Sequence, residues 1–129
     1  MTMPIKVLLA DDSDVVRRAI RGLLEQYPKI ELVGEAVSFA QTIQMTNHLK
    51  PQVILMDLHM KDQVTFTVED IKTQMNGRIV AISLANDGET KALAESFGAL
   101  ILLDKTKLAD ELIPTIEKFA LSGSNISTA

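Results

Sequence analysis

The chain has 129 residues, a hydrophobic fraction of 47%, a charged fraction of 23% and a formal net charge of −4 at pH 7. This length fits one domain, and the apolar content suffices for a core that folds without a disulfide or a metal. Cysteine is absent, which excludes disulfides, thiolate metal sites and cysteine nucleophiles. The negative charge and the scattered basic residues argue against direct binding of nucleic acid, which depends on clustered Lys and Arg.

Apolar runs in this sequence are short. None is long enough for a signal-peptide core or a membrane span, and the first, Val7–Ala10, ends at two aspartates. The sequence therefore predicts a soluble cytoplasmic protein without a membrane partner.

The first half of the chain alternates apolar runs with segments of helical periodicity. Ile5–Ala10 predicts a buried strand, and Ser13–Gln26 predicts a helix with one apolar face. The basic residues of that helix, Arg17, Arg18 and Arg21, are expected on its solvated face. Ile30–Ala36 alternates in polarity and predicts a half-exposed strand that Gly34 weakens. Ser38–Leu49 predicts a helix that ends before Pro51.

The second half continues this alternation. Apolar runs predict three more strands, at Gln52–Met56, Arg78–Ser83 and Ala99–Leu103. Periodicity predicts three more helices, from Thr67 to about Met75, at Asn86–Phe97, and over an apolar face that runs from Leu108 to Phe119. Thr67 and Asp70 have the spacing of a capping box. The small, polar segment Ser122–Ala129 is expected to be a frayed tail or the start of a linker, so the domain is expected to span residues 1–121.

The five strand–helix units predict an α/β fold with an open, doubly wound parallel sheet that is covered on both faces. Polar residues follow four of the predicted strands: Asp11, Asp12, Asp57, Ser83 and Lys105. Ligands of such sheets bind outside the carboxyl ends of the strands, so we expect these side chains to converge on one cleft. Each residue alone has an ordinary explanation, as a helix cap, a strand end or a solvated charge. Their expected position at one edge of the sheet favours a functional site over these separate explanations.

The chemistry of this set is coherent. Three carboxylates in one pocket repel one another unless a cation neutralises them, and magnesium prefers such oxygen ligands. The cation would offset the charge of phosphoryl transfer, while Lys105 and Ser83 would contact phosphoryl oxygens. An aspartate is a suitable nucleophile, because carboxylates form acyl phosphates. A zinc site at His59 is not expected, because His48 lies on a different segment.

The segments LLADDS, VILMDLHM, VAIS and LLDK resemble the signature stretches of response-regulator receiver domains, in the family's order. The resemblance extends from about Ile5 to Leu121. It implies a flavodoxin-like (βα)5 fold with strand order 2-1-3-4-5. It also implies that Asp57 accepts phosphate from a histidine kinase, a phosphotransfer protein or a small phosphodonor.

The resemblance further implies the roles of the other site residues. Asp12 and Asp57 would bind Mg²⁺ directly, Asp11 would bind it through water, and the backbone carbonyl of His59 would add a ligand. Two further residues would contact the phosphoryl group and relay its presence, and these are Ser83 and Lys105. Relatives of this kind pair through the fourth helix, fifth strand and fifth helix, so a homodimer is an expectation for this chain.

Four departures from the family's pattern surround the site, namely Lys61-Asp62-Gln63 in place of a Pro-Gly turn, Leu84 at a usually small position, Ala85 at an often polar position, and Leu102 at the aromatic switch position. Without the fixed φ of proline, the loop over the site is expected to be more mobile or differently shaped. Leu84 is expected to narrow the entrance to Asp57. Together, His59 and Ala85 are expected to alter the lifetime of the phosphorylated form.

Two other functions remain open from the sequence. Leu84, Leu102 and the missing turn proline favour a phosphorylation-independent pseudo-receiver adaptor. An aspartate-based phosphohydrolase is the other alternative. Such enzymes resemble a pattern with a second acid two residues after the nucleophile. This chain has His59 at that position, which argues against steady turnover. The predicted function is a signalling domain in which phosphorylation of Asp57 switches partner binding. It is expected to promote its own phosphorylation and dephosphorylation, without independent enzymatic turnover.

Overall fold

The computed structural model describes residues 3–62, 68–75, 78–85 and 87–128, with side chains described through residue 120. Five strands form one parallel sheet in the order β2-β1-β3-β4-β5. The strands are β1 (Ile5–Ala10), β2 (Ile30–Ala36), β3 (Val53–Asp57), β4 (Ile79–Ser83) and β5 (Ile101–Asp104). The predicted doubly wound, flavodoxin-like order 2-1-3-4-5 is confirmed.

Helices follow the strands in strict alternation. They are α1 (Asp14–Glu25), α2 (Phe39–Leu49), α3 (Val68–Met75), α4 (Gly88–Ser96) and α5 (Leu108–Thr128), and a single 3₁₀ turn, Lys105–Lys107, precedes α5. The predicted elements are confirmed with small shifts at their ends, except at the end of α5. Two residues proposed to begin helices, Thr67 and Asn86, lie outside the described residues. Among those described, no helix is long and apolar enough to cross a membrane.

Side chains with oxygen acceptors begin three of the helices. The Ser13 hydroxyl accepts a hydrogen bond from the Val16 N–H at the start of α1. Ser38 begins α2 and Asp87 begins α4 in the same way. Each acceptor satisfies a backbone N–H that has no partner within its own helix. These caps fix where α1 and α4 start, immediately beyond the carboxyl edge of the sheet.

The core has two layers, one on each face of the sheet. On one face, Val7 and Leu9 of β1 pack with apolar residues of α1 and α5. On the other face, Leu8 and Ala10 pack with apolar residues of α2, α3 and α4. Alternate residues of a strand point to opposite faces, so β1 serves both layers. The predicted coverage of both faces is confirmed.

Gly34 has a packing role in β2. A Cβ atom at this position would lie 2.5 Å from the Met45 Cε and 3.0 Å from the Leu49 Cδ1. From the sequence alone, Gly34 is expected to weaken the strand. The structure shows that its missing side chain lets α2 approach β2 closely.

The end of α5 differs from the prediction. The helix continues to Thr128, whereas a frayed tail or the start of a linker was expected over Ser122–Ala129. Extending an existing helix gains one hydrogen bond for each residue that is fixed, and residues 122–128 contain no proline to stop it. The division of the chain at residue 121 stays a prediction.

Candidate functional site

The predicted site residues lie at the carboxyl edge of the sheet. Asp11 directly follows β1 and is fully buried. Asp57 and Ser83 are the last residues of β3 and β4, and both are buried. Lys105 directly follows β5. The parallel arrangement thus brings distant parts of the sequence to one edge, as predicted from the sequence.

Lys105 reaches into the acidic cluster and pairs with two of its members. Its Nζ lies 2.7 Å from the Asp11 Oδ2 and 3.5 Å from the Asp57 Oδ1. The Lys105 side chain is only 9% exposed, so this charge is largely withdrawn from solvent. Buried charges require such partners, because water no longer stabilises them.

Three carboxylates form the cluster itself. Asp11, Asp12 and Asp57 each offer an oxygen, and these oxygens all lie within 4.8 Å of one another. The Asp11 Oδ1 accepts a hydrogen bond from the Ser13 N–H at 2.8 Å. The Asp11 Oδ2 is buried and has no hydrogen-bond partner within the described residues apart from its ion pair with the Lys105 ammonium. The cluster therefore retains oxygen lone pairs that a cation could use.

This donor set fits magnesium. Mg²⁺ prefers carboxylate oxygens and retains waters, whereas zinc sites in proteins are built from Cys and His ligands above all. The His59 imidazole is exposed, and His48 lies in the last turn of α2. Asp11, Asp12 and Asp57 are the residues that would hold the ion.

The pKa of Asp57 is raised above its ordinary value. Burial is the main cause, because it disfavours the charged carboxylate. The negative charges of Asp11 and Asp12 raise the pKa further, while the Lys105 ammonium and the His59 N–H lower it. The His59 N–H donates to the Asp57 Oδ1 at 3.1 Å. A cation at this cluster would favour the ionised, nucleophilic form.

Ser83 occupies the strand next to Asp57. Its hydroxyl oxygen accepts a hydrogen bond from the Ala85 N–H at 3.1 Å. A hydroxyl group that accepts in this way keeps its own proton available for donation. Because β3 and β4 are paired through Asp57 and Ile82, the Ser83 hydroxyl belongs to the same edge as the acidic cluster.

The loop after β3 is attached to the start of α2. The two carboxylate oxygens of Asp62 accept hydrogen bonds from the Phe39 N–H at 2.8 Å and the Ala40 N–H at 3.0 Å. Asp62 belongs to the segment that replaces the family's usual Pro-Gly turn. Gln63 lies outside the described residues, so the expected mobility or altered shape of the loop stays a prediction.

Two leucines at the unusual positions have different surroundings. Leu84 is 73% exposed, so its side chain lies at the surface beside the site. Leu102 is partly buried and packs against the core layer that contains α2, α3 and α4. A leucine at this position supplies packing but no ring or hydroxyl. The effect of Leu84 on access to Asp57 stays a prediction.

Arg17 has contacts at the site that were not predicted from the sequence. Only 13% of its side chain is exposed, which contradicts the expected solvated position, whereas Arg18 is exposed. The Arg17 guanidinium donates to the backbone carbonyl of Asp11 at 2.6 Å. It also pairs with Asp14 and lies 3.5 Å from the Glu35 Oε1. Its place one turn into α1, close to Asp11 and Asp12, was the available signal.

The chain is a flavodoxin-like α/β domain that carries an acidic cluster and a lysine at the carboxyl edge of its sheet. Residues 7–117 match the sequence model of the response regulator receiver domain. The chain therefore belongs to the receiver-domain family of response regulators. It is a signalling module of two-component systems.

Similar proteins include a protein-glutamate methylesterase/protein-glutamine glutaminase of Methanococcoides burtonii, which is 35% identical over 95% of this chain. The transcriptional regulatory protein LiaR of Bacillus subtilis is 35% identical over 87% of this chain. The chain spans 38% of the first relative's length and 54% of the second's. The crystal structure of the response regulator domain of Thermotoga maritima CheB superposes with a TM-score of 0.78 at 23% identity, covering 91% of this chain and 96% of that chain. At this identity the superposition shows the shared fold.

Proposed function

We propose that this chain takes a phosphoryl group on Asp57, with Mg²⁺ held by Asp11, Asp12 and Asp57. Receiver domains of response regulators are phosphorylated by histidine kinases and bind Mg²⁺ at an acidic pocket. The observation that carries the proposal is the buried contact between Lys105 and two carboxylates of one cluster, Asp11 and Asp57. This contact places the proposed nucleophile, Asp57, beside the carboxylates that would bind the cation and beside the positive charge of Lys105.

The chain's own groups divide the chemistry between them. An Asp57 oxygen attacks phosphorus, the bond from phosphorus to the donor's nitrogen or oxygen breaks, and the leaving group departs with the electron pair of that bond. The His59 N–H, bonded to the Asp57 Oδ1, orients the carboxylate. Lys105 and the Ser83 hydroxyl neutralise and bind the oxygens of the transferred group. Bound Mg²⁺, with the His59 carbonyl as a further ligand, would offset the negative charge of transfer.

The output of this modification is proposed to be a change in partner binding. Phosphorylation would shift a two-state equilibrium of the domain, and a partner would read the favoured state. The phosphate would come from a histidine kinase, a phosphotransfer protein or a small phosphodonor in the cytoplasm. A homodimer through α4, β5 and α5 is part of the proposal. Two exposed apolar residues support it, Ile101 at the start of β5 and Leu100 immediately before it.

Incubation with acetyl phosphate and Mg²⁺, followed by intact-protein mass spectrometry, tests the phosphoacceptor proposal. The expected result is one added phosphoryl group per chain that requires Mg²⁺ and is lost in Asp57→Ala. Continuous release of phosphate would indicate a phosphohydrolase instead. No modification, together with no response to beryllofluoride and Mg²⁺, would indicate the adaptor function that Leu84 and Leu102 favour.

A further inference from the structure

The loop between β1 and α1 supplies two of the three clustered carboxylates. Asp11 and Asp12 stand in this loop, outside regular secondary structure. The sheet fixes Asp57 at the end of β3, but a short loop needs other contacts to hold its carboxylates in one geometry. The Asp11 N–H donates to the Ala36 carbonyl at 3.0 Å, and the Ser13 N–H donates to the Asp11 side chain. Neither bond holds the carbonyl of Asp11, which needs a partner from elsewhere.

Arg17 supplies that hold from one turn inside α1. Its Nη1 donates to the Asp11 carbonyl at 2.6 Å, and this carbonyl belongs to the peptide that joins Asp11 to Asp12. Its Nη2 pairs with Asp14 in the first turn of α1. The planar guanidinium can serve both partners at once because its donors point in fixed, separate directions.

Arg17 has a second ion pair, which joins its guanidinium to Glu35. The Arg17 Nε lies 3.5 Å from the Glu35 Oε1 near the end of β2. Arg21 binds the same carboxylate with two hydrogen bonds of 2.8 Å each, from its Nε to Oε2 and from its Nη2 to Oε1. The pKa of Glu35 is lowered, chiefly by the hydrogen bond from Arg21, so the carboxylate stays charged. Glu35 is thus anchored to α1 by Arg21 and is available to Arg17.

We propose that Arg17, backed by Glu35 and Arg21, is a positioning residue that holds the Asp11–Asp12 peptide in the geometry required for Mg²⁺. This inference rests on the proposed function, because it assigns a role toward the ion of that site. Contacts that orient metal ligands are commonly worth about 10- to 100-fold in metal affinity. Arg17 touches no predicted metal-ligand atom and acts through the loop backbone.

The sign of the effect separates positioning from simple electrostatics. Arg17 carries a positive charge close to a cation site, so its removal by charge alone would tighten Mg²⁺ binding. Loss of positioning weakens binding instead. Arg17→Lys adds a second distinction, because an ammonium keeps the charge but cannot reproduce the guanidinium fork toward the Asp11 carbonyl, Asp14 and Glu35.

The test compares Mg²⁺ dissociation constants, measured by titration calorimetry, for wild type, Arg17→Ala, Arg17→Lys and the matched control Arg18→Ala. Arg18 is adjacent and exposed, so its removal makes the same charge change. We expect binding to weaken by about tenfold in both Arg17 variants, and to stay unchanged or tighten slightly in Arg18→Ala. Arg17 variants that bind Mg²⁺ as tightly as wild type, or more tightly, would overturn the inference.

Hydrogen exchange of the Ser13 amide, followed by NMR without metal, gives a readout independent of the ion. This N–H donates to the Asp11 Oδ1, so a loosened loop should exchange it faster in both Arg17 variants than in Arg18→Ala. Unchanged exchange would count against positioning. If wild type itself binds no Mg²⁺, the proposed function fails, and the exchange measurement still decides whether Arg17 holds the loop. Arg17→Lys serves if Arg17→Ala does not fold.

Discussion

The Lys105 ammonium lies closer to Asp11 than to Asp57, at 2.7 Å from the Asp11 Oδ2 and 3.5 Å from the Asp57 Oδ1. One buried cation thus compensates two buried carboxylates that belong to different strand ends. Removal of one partner from a buried ion pair leaves the others without compensation, which is more costly than the absence of the whole set. The acidic cluster therefore depends on Lys105 when no metal is bound.

Lys105→Ala should lower the free energy of unfolding by about 3 kcal/mol in Mg²⁺-free buffer, because breaking a buried ion pair has costs of this order. Urea denaturation with and without Mg²⁺ checks this. We expect added Mg²⁺ to stabilise the variant more than wild type, since the cation replaces the lost charge. The exposed Lys107→Ala is the control, and equal losses in the two variants would contradict the role assigned to Lys105.

Asp57→Asn should stabilise the metal-free protein at neutral pH. The pKa of Asp57 is raised in the folded state, mainly by burial, so the folded protein binds this proton more tightly than the unfolded chain. The stability of wild type therefore falls as pH rises from the ordinary Asp pKa through the raised value. Asp57→Asn has no carboxyl group at this position, so its stability does not fall with pH for this reason. Chemical denaturation of both proteins from pH 4 to pH 8 should show a gap that widens toward neutral pH, and a pH-independent gap would rule out this explanation.

Asp62→Ala should destabilise the protein by about 1 kcal/mol, the usual value of an oxygen acceptor at a helix start. The variant leaves the Phe39 and Ala40 N–H groups without the carboxylate that binds them. Urea denaturation measures the change against Lys61→Ala, an exposed neighbour in the same loop. If the Asp62 variant were as stable as the Lys61 variant, the hydrogen bonds of Asp62 to the start of α2 would not contribute to the free energy of unfolding.

Two glycines should respond in opposite directions to alanine. Gly98 follows α4 with a φ of +79°, where a side chain is strained, so Gly98→Ala should lower stability by about 1 kcal/mol. Gly22 lies within α1, and a Cβ there would meet nothing within 4 Å, so Gly22→Ala should raise stability by up to about 1 kcal/mol. Thermal unfolding of the two variants should show shifts of opposite sign, and shifts of the same sign would refute the assignment.

Much of the fold could be predicted from local patterns. Apolar runs such as Ile5–Ala10 are long enough for strands and too short for helices, and Ser13 and Ser38 cap the helices that follow. The convergence of Asp11, Asp57 and Lys105 also followed, because parallel strands share one carboxyl edge. These features depend on periodicity and topology, which a single sequence contains.

Other features depend on contacts between segments and could not be predicted. The hydrogen bonds of Asp62 to the start of α2 join residues that are 22 and 23 positions apart. The ion pair of Arg17 with Glu35 joins α1 to β2, whereas only the nearness of Arg17 to Asp11 and Asp12 is visible in the sequence. The close approach of α2 made Gly34 a packing residue. In each case the deciding partner lies on an element whose distance no local pattern specifies.

Chemical trapping of the modified residue tests the central claim most directly. Borohydride reduces an aspartyl phosphate to homoserine, and peptide mass spectrometry then locates the converted side chain. After treatment with acetyl phosphate and Mg²⁺, we predict conversion at Asp57 alone, and none when Mg²⁺ is chelated. Conversion at Asp11 or Asp12, or no conversion in a folded protein that binds Mg²⁺, would contradict the account.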